Sequence, residues 1–144
     1  MLSVARLSIA EAKVLIEGAT RKSDEMGIPM CIAVCDESGH LIAFDRMDGG
    51  KISSISIAID KASTAAVARK PTHVYNQLCQ PGQPTFGIHV TNGGHFSIIG
   101  GGFPVTVDGE IVGGIGISSG TAHEDVEVAE AALAHFHQAT GLSA

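Results

Sequence analysis

The sequence predicts a single α+β domain: an antiparallel sheet covered by helices. Three observations predict it. Capped helical patterns occur near both ends and in the first half of the chain, apolar runs of strand length lie between them, and several of those runs are joined by turns too short for parallel crossovers. The 144 residues fit one domain, 1–144, with no linker and no internal repeat. Apolar residues make up 44% of the chain, which excludes disorder. The longest apolar runs fall far below the ~20 residues of a membrane span. Nine Lys and Arg against fifteen Asp and Glu give a net charge of −6. That balance excludes a nucleic-acid surface, which needs a basic stripe to displace counterions. Charged residues are only 17%, below the roughly 25% of an average chain, so some low-charge surface is expected to be buried against another copy of the chain.

The elements follow in order. Ser8-Ile9-Ala10-Glu11 is a capping box, and Ala12, Leu15, Ile16 and Ala19 trace one buried helical face before Gly27 and Pro29 stop it. Met30 to Cys35 is apolar on both alternating faces and reads as a strand covered on both sides. Asp36-Glu37-Ser38-Gly39 turns the chain back into a second strand, His40 to Arg46. Ser53 or Ser54 caps a second helix whose buried face is small: Ala58, Ala62, Ala65 and Ala66. Pro71 ends it, Thr72 to Leu78 is a short helix, and Gln80-Pro81-Gly82-Gln83-Pro84 is a loop. Strands are then expected near 86–91, 95–99, 103–107 and 110–118, the last two joined by a tight Asp108-Gly109 turn. Thr121-Ala122-His123-Glu124 is a second capping box, opening a closing helix with Val126, Ala129, Leu133 and Phe136 as its buried stripe.

Glycine is the compositional outlier, at 18 residues, eleven of them between Gly87 and Gly120. Two stretches stand out as walls for a ligand: the bend containing Gly101 and Gly102, and the run Gly113 to Gly120, which includes Gly116, Ser118 and Ser119 and leads into a helix N-terminus. Backbone N–H groups there suit an anion, although Glu124 and Asp125 compete for the same field. The run lacks the lysine of a P-loop and the spacing of a dinucleotide-binding turn, so a carboxylate ligand fits better than a nucleotide.

Cations are scarce enough that Arg46 and Lys61, with Asp48 nearby, are candidate ligand-binding residues. An internal salt bridge to Asp45, Asp48 or Asp60 is the alternative. Seven histidines are present. His135 and His137 lack the spacing of a helical metal pair and suit a surface near the helix end. His89 and His95 would share one sheet face across an Asn92-Gly93-Gly94 hairpin. From there they could ligate a metal or haem iron, contact a carboxylate, or simply form a polar face. Cys31 and Cys35, four residues apart on a strand, are separated by ~13 Å and cannot form a disulfide. Cys79 is the only candidate for an exposed thiol. The N-terminus carries no basic-then-apolar leader pattern, which makes a cytoplasmic location the expectation.

Five strings in order resemble the GlcG/HbpS-like, or haem-degrading domain, family, and most closely the C-terminal domain of PduO-type corrinoid adenosyltransferases. They are Arg46-Met47-Asp48-Gly49, Lys61-Ala62-Ser63-Thr64-Ala65, Gln80 to Ile88, Gly100-Gly101-Gly102-Phe103-Pro104-Val105 and Gly113 to Thr121. The resemblance implies a profilin-like fold, assembly as homo-oligomers, often octamers, and haem or tetrapyrrole binding in some members. Others belong to glycolate, diol or aromatic catabolism, one branch with deamination of an aminomuconate-type acid. The chain departs from the family at Gly116-Ile117-Ser118-Ser119-Gly120, where Gly-Val-Ser-Gly-Gly is usual. Its first helix holds no histidine, so an axial ligand would come from His89, His95, His123 or Met47.

Two functions are therefore expected from the sequence. In the first, the chain binds haem, with Arg46 and Lys61 holding propionates and a histidine approaching the iron. In the second, it is an enzyme acting on a small acidic catabolite. Arg46 and Lys61 then bind carboxylates, while His123 or Asp125 moves protons beside Ser118 and Ser119.

Overall fold

A computed structural model describes residues 1–144. Helix α1 (Ile9–Met26) opens on the expected capping box: Ser8 and Glu11 each accept the other's backbone N–H, at 3.2 and 2.8 Å. Ala12, Leu15, Ile16 and Ala19 are all buried. Strands β1 (Cys31–Asp36) and β2 (Leu41–Arg46) form the predicted hairpin, and every residue of β1 is buried. Helix α2 (Ser54–Ala68) and the short α3 (Val74–Leu78) precede β3 (Gly102–Val107), β4 (Glu110–Ser118) and α4 (Ala122–Thr140).

The four strands make one antiparallel sheet in the order β2-β1-β4-β3. Alternation along the strands splits the core in two. Ile32, Val34, Val105, Ile115 and Ile117 face α1 and α4, while Cys31, Ala33 and Cys35 face Ala58 and Ala62 of α2. The two sides are built differently. The first is a thick core closed by Leu15, Val128 and Phe136. On the second, α2 lies almost backbone to backbone on the sheet: a Cβ on Gly114 would overlap Ala62 O, and one on Gly116 would overlap Ala58 O. The small face of α2 and the glycines Gly114 and Gly116 of β4 form two halves of one seam.

Three expectations change. The strands foreseen at 86–91 and 95–99 do not form. That segment makes two 3₁₀ turns, Ile88–Val90 and Asn92–Gly94. Asn92, Gly93 and Gly94 all adopt positive φ, which no ladder accommodates, and the Thr91 hydroxyl donates back to Ile88 O. In α4, Ala129 and Phe136 are buried as expected, but Val126 and Leu133 are half-buried. Asp125, Val128 and Ala132 take the inward positions instead. Cys79 is buried, its thiol 3.5 Å from Asn76 O, while Cys31 and Cys35 are free and buried as foreseen. No helix is long and apolar enough to cross a membrane.

Candidate functional site

At the β3 edge of the sheet an open cleft of about 530 Å³ lies between α3 and the start of α4. One wall carries His73 and Asn76, the other His123, Val126 and Glu130, and the floor is Ile99-Gly100. The floor is narrow because Gly100 has no side chain. A Cβ there would come within 3.0 Å of Val126 Cγ2 and 3.5 Å of His73 Cβ. Thr72, fully buried, fixes this geometry. Its hydroxyl donates to Ile99 O at 2.5 Å and accepts from the Gly102 N–H at 3.0 Å, and its own N–H donates to Gly102 O. The Asn76 side chain adds a bond to Ile98 O, and the His73 ring leans on Phe103 at a centroid distance of 5.7 Å.

Of the other histidines, His95 Nδ1 is 3.0 Å from Asp60 and His137 Nδ1 is 2.8 Å from Leu142 O, while His135 Nε2, 3.5 Å from Glu17, is buried without a hydrogen bond, and His40 and His89 lie outside the cleft. His73 and His123 are the two imidazoles brought into one cavity. His123 was a candidate from sequence; His73 was not. Its only signal was its place beside the start of the short helix, which becomes a wall only once Ile99 is seen beneath it.

Beneath the cleft lies a buried ion pair. Lys61 Nζ donates to Asp125 Oδ2 and to Ile117 O, both at 2.8 Å, with the two side chains 1% and 3% exposed. Asp125 Oδ1 accepts the Gly120 N–H at 3.0 Å. Burial lowers the Lys61 amine from its ordinary value and raises the Asp125 carboxyl, and each partner opposes the other's shift by favouring the charged form. The salt bridge weighed for Lys61 exists, but with a partner 64 residues away rather than Asp60.

The ligand-facing roles expected of several residues are corrected accordingly. Lys61 and Asp125 are enclosed and engaged with each other, so neither presents a charge to a bound molecule. Gly101, Gly102 and Gly116 are buried, with protein atoms where side chains would point: Asp125 and Lys61 at Gly101, Lys61 O at Gly102 and Ala58 O at Gly116. Ser118 is 4% exposed on the α2 side of β4, opposite Cys31. His89 and His95 share no strand face, because the hairpin that would pair them is replaced by turns, and no group of three metal-ligating side chains occurs in the chain.

Arg46 and Asp48 stay exposed at the end of β2. Arg46 lies opposite Cys31, and Cys31 opposite Ser118, so Arg46 is about three strand spacings, ~14 Å, from the cleft floor. Between them is Ser119, whose hydroxyl accepts the Lys51 N–H at 3.0 Å and whose φ of 123° is glycine territory. Ser119, His123 and Asp125 therefore point three ways: to the Lys51 loop, to the cleft and to Lys61. They do not form one catalytic set. A second groove of about 550 Å³ runs between α1 and β2; it contains no histidine, and of its charges Glu17 and Arg21 are paired at 2.6 Å while Lys13 and Asp45 are not.

This fold, with a half-open polar cleft on a glycine-seamed sheet, defines a small α+β domain with a ligand-sized site at one sheet edge. The chain belongs to the HbpS-like family, described as haem degrading protein HbpS-like, whose pattern matches residues 7–134. It is 34% identical to an uncharacterized 15.0 kDa protein from the dhaT-dhaS intergenic region of Citrobacter freundii, over 94% of this chain and 95% of that one. It is also 31% identical to the corrinoid adenosyltransferase PduO of the same organism, over 93% of this chain but only 40% of the enzyme. Among solved structures, Klebsiella pneumoniae protein ORFY superposes with a TM-score of 0.92 at 31% identity, covering 94% of both chains. A PduOC–haem complex superposes with a TM-score of 0.88 at 28% identity, covering 97% of this chain and 98% of that one. The α+β fold expected from the family resemblance is thus the observed one.

Proposed function

We propose that this chain binds haem or a related tetrapyrrole, and that the cleft between α3 and α4 is where it does so. The carrying observation is the convergence of His73 and His123 on one cavity over an Ile99-Gly100 floor. The donor set fits the group. Imidazole nitrogen is an ordinary axial ligand of haem iron, Ile99 and Val126 offer apolar contact to a flat ring, and about 530 Å³ lies within the usual range of ligand sites. Bound iron would supply the redox and ligand-exchange chemistry. The chain's part is to hold the ring, with His73 or His123 as the iron ligand and Asn76 as a hydrogen-bond donor on the rim. The PduOC–haem complex, similar along nearly the whole chain, supports haem binding as the function.

The cleft is open, so a bound ring would keep one face outside it. Ile52, Phe86 and Val90 are 79%, 65% and 71% exposed. Self-association as a homo-oligomer, which the family resemblance implies, would cover such side chains. Titration with haemin, followed at the Soret band, tests the proposal. A saturable shift is expected, with iron-free protoporphyrin binding more weakly because it lacks the ligand bond. Absence of any saturable shift with haemin at micromolar concentration defeats it.

A further inference from the structure

The Lys61–Asp125 pair has no access to a ligand, yet it sits where the cleft is assembled. An enclosed ion pair is, as a rule, no more stabilising than well-packed apolar residues of the same volume, because desolvation offsets the attraction. Its use here therefore calls for a positional reason, and the contacts supply one. Lys61 Nζ ties α2 to β4 through Ile117 O and to α4 through Asp125. The same Ile117 donates its N–H to Gly101 O at 2.9 Å. A Cβ on Gly101 would lie 2.8 Å from Asp125 Cβ and 3.0 Å from Lys61 Nζ, so the floor segment is pressed directly on the pair. Asp125 belongs to the first turn of α4, two residues after His123 and one before Val126, the residue that meets Gly100.

We infer that the Lys61–Asp125 pair is a positioning clasp that sets α4, and hence His123, at a fixed distance from the Ile99-Gly100 floor and the His73 wall. The inference deepens the haem-binding reading and rests on it for its ligand, but the clasp is a statement about this chain's own geometry. Asp125 also holds the Gly120 N–H, so the strand-to-helix turn and the helix are fixed by one carboxylate. With the charges removed, the cleft would keep its residues and lose its set width.

Two neutral pairs test it, Lys61→Met with Asp125→Asn and Lys61→Gln with Asp125→Asn; both retain an acceptor for the Gly120 N–H. The folded variants, haem-free, are compared with the parent by thermal melting and by the NMR resonances of the His73, His123 and His89 rings. His89, on an exposed turn, is the control. The clasp predicts shifted His123 resonances, unmoved His89 resonances, and haemin dissociation faster by ~10–100-fold, the scale typical when an orienting partner of a metal ligand is lost. Unshifted His123 resonances in a folded variant overturn it. So does failure of both variants to fold, which would make the pair a requirement for stability. A parent that binds no haemin, together with a shifted His123, overturns the haem reading and leaves the clasp standing.

Discussion

Ser119 is the residue whose local conformation is most at odds with its type. A φ of 123° is strained for any side chain, at about 1–3 kcal/mol, and the hydroxyl recovers part of that through the Lys51 N–H. Ser119→Ala keeps the strain and loses the bond, so it should destabilise by about 0.5–1.5 kcal/mol. Ser119→Gly relieves the strain, loses the same bond and gains about 0.4–1 kcal/mol of unfolded-chain freedom, so its net effect should stay within about 1 kcal/mol of zero. Chemical denaturation of the three proteins checks the order, and a glycine variant less stable than the alanine one would contradict it. The sequence marked Ser119 as unusual by family likeness. What it could not convey was direction: a positive φ aims the hydroxyl at the Lys51 loop and away from the cleft. Lys61 shows the same limit, because a cation's partner 64 residues distant leaves no local spacing to read.

At the scale of elements, the helices and the β1–β2 and β3–β4 hairpins were legible because each carries a short-range signal: a capping box, a turn dipeptide or a strict periodicity. The small face of α2 is also legible, but its complement is not. Gly114 and Gly116 of β4, expected in a ligand wall, are instead the other half of a helix–sheet seam. Gly116→Ala should therefore cost about 3 kcal/mol or more, since the new Cβ meets Ala58 O, a backbone atom that cannot step aside. A thermal melt indistinguishable from the parent's would contradict the seam. Residues 86–99 depart from the expected strands for the opposite reason: alternating apolar residues imitate strands, while side-chain bonds and left-handed residues decide the conformation. Thr72 ties that segment to β3, and nothing in its local sequence reveals it. Thr72→Val keeps the shape and leaves the buried Gly102 N–H without its acceptor, which should cost about 1–3 kcal/mol and loosen the cleft floor. Faster amide exchange at Gly100–Gly102 is the expected readout, and unchanged exchange would show that Thr72 does not hold the floor.

For the whole molecule, ends distant in sequence are joined at the surface as well as in the core. Arg6 forms two hydrogen bonds with the Glu37 carboxylate, tying the segment before α1 to the β1–β2 turn. This contact holds the Glu37 carboxyl down to about 2, chiefly through the Arg6 side-chain hydrogen bonds. Because the folded value is depressed, the unfolded chain takes up the proton first as pH falls. The contact's contribution is thus full above the ordinary 4.5 and is lost on descent toward 2. Arg6→Ala should flatten the loss of stability across that window, as read from denaturation at a series of pH values; an unchanged acid limb would show that Glu37 is held by other groups.

The proposed tetrapyrrole site stands or falls with His73 and His123. The most direct measurement is a haemin titration of the parent beside His73→Ala, His123→Ala and His89→Ala. A saturable Soret shift is expected in the parent, the same shift in His89→Ala, and a weakened or displaced Soret band in at least one of the two cleft variants. Parent-like spectra and affinities in both cleft variants, or a loss found only in His89→Ala, would contradict it.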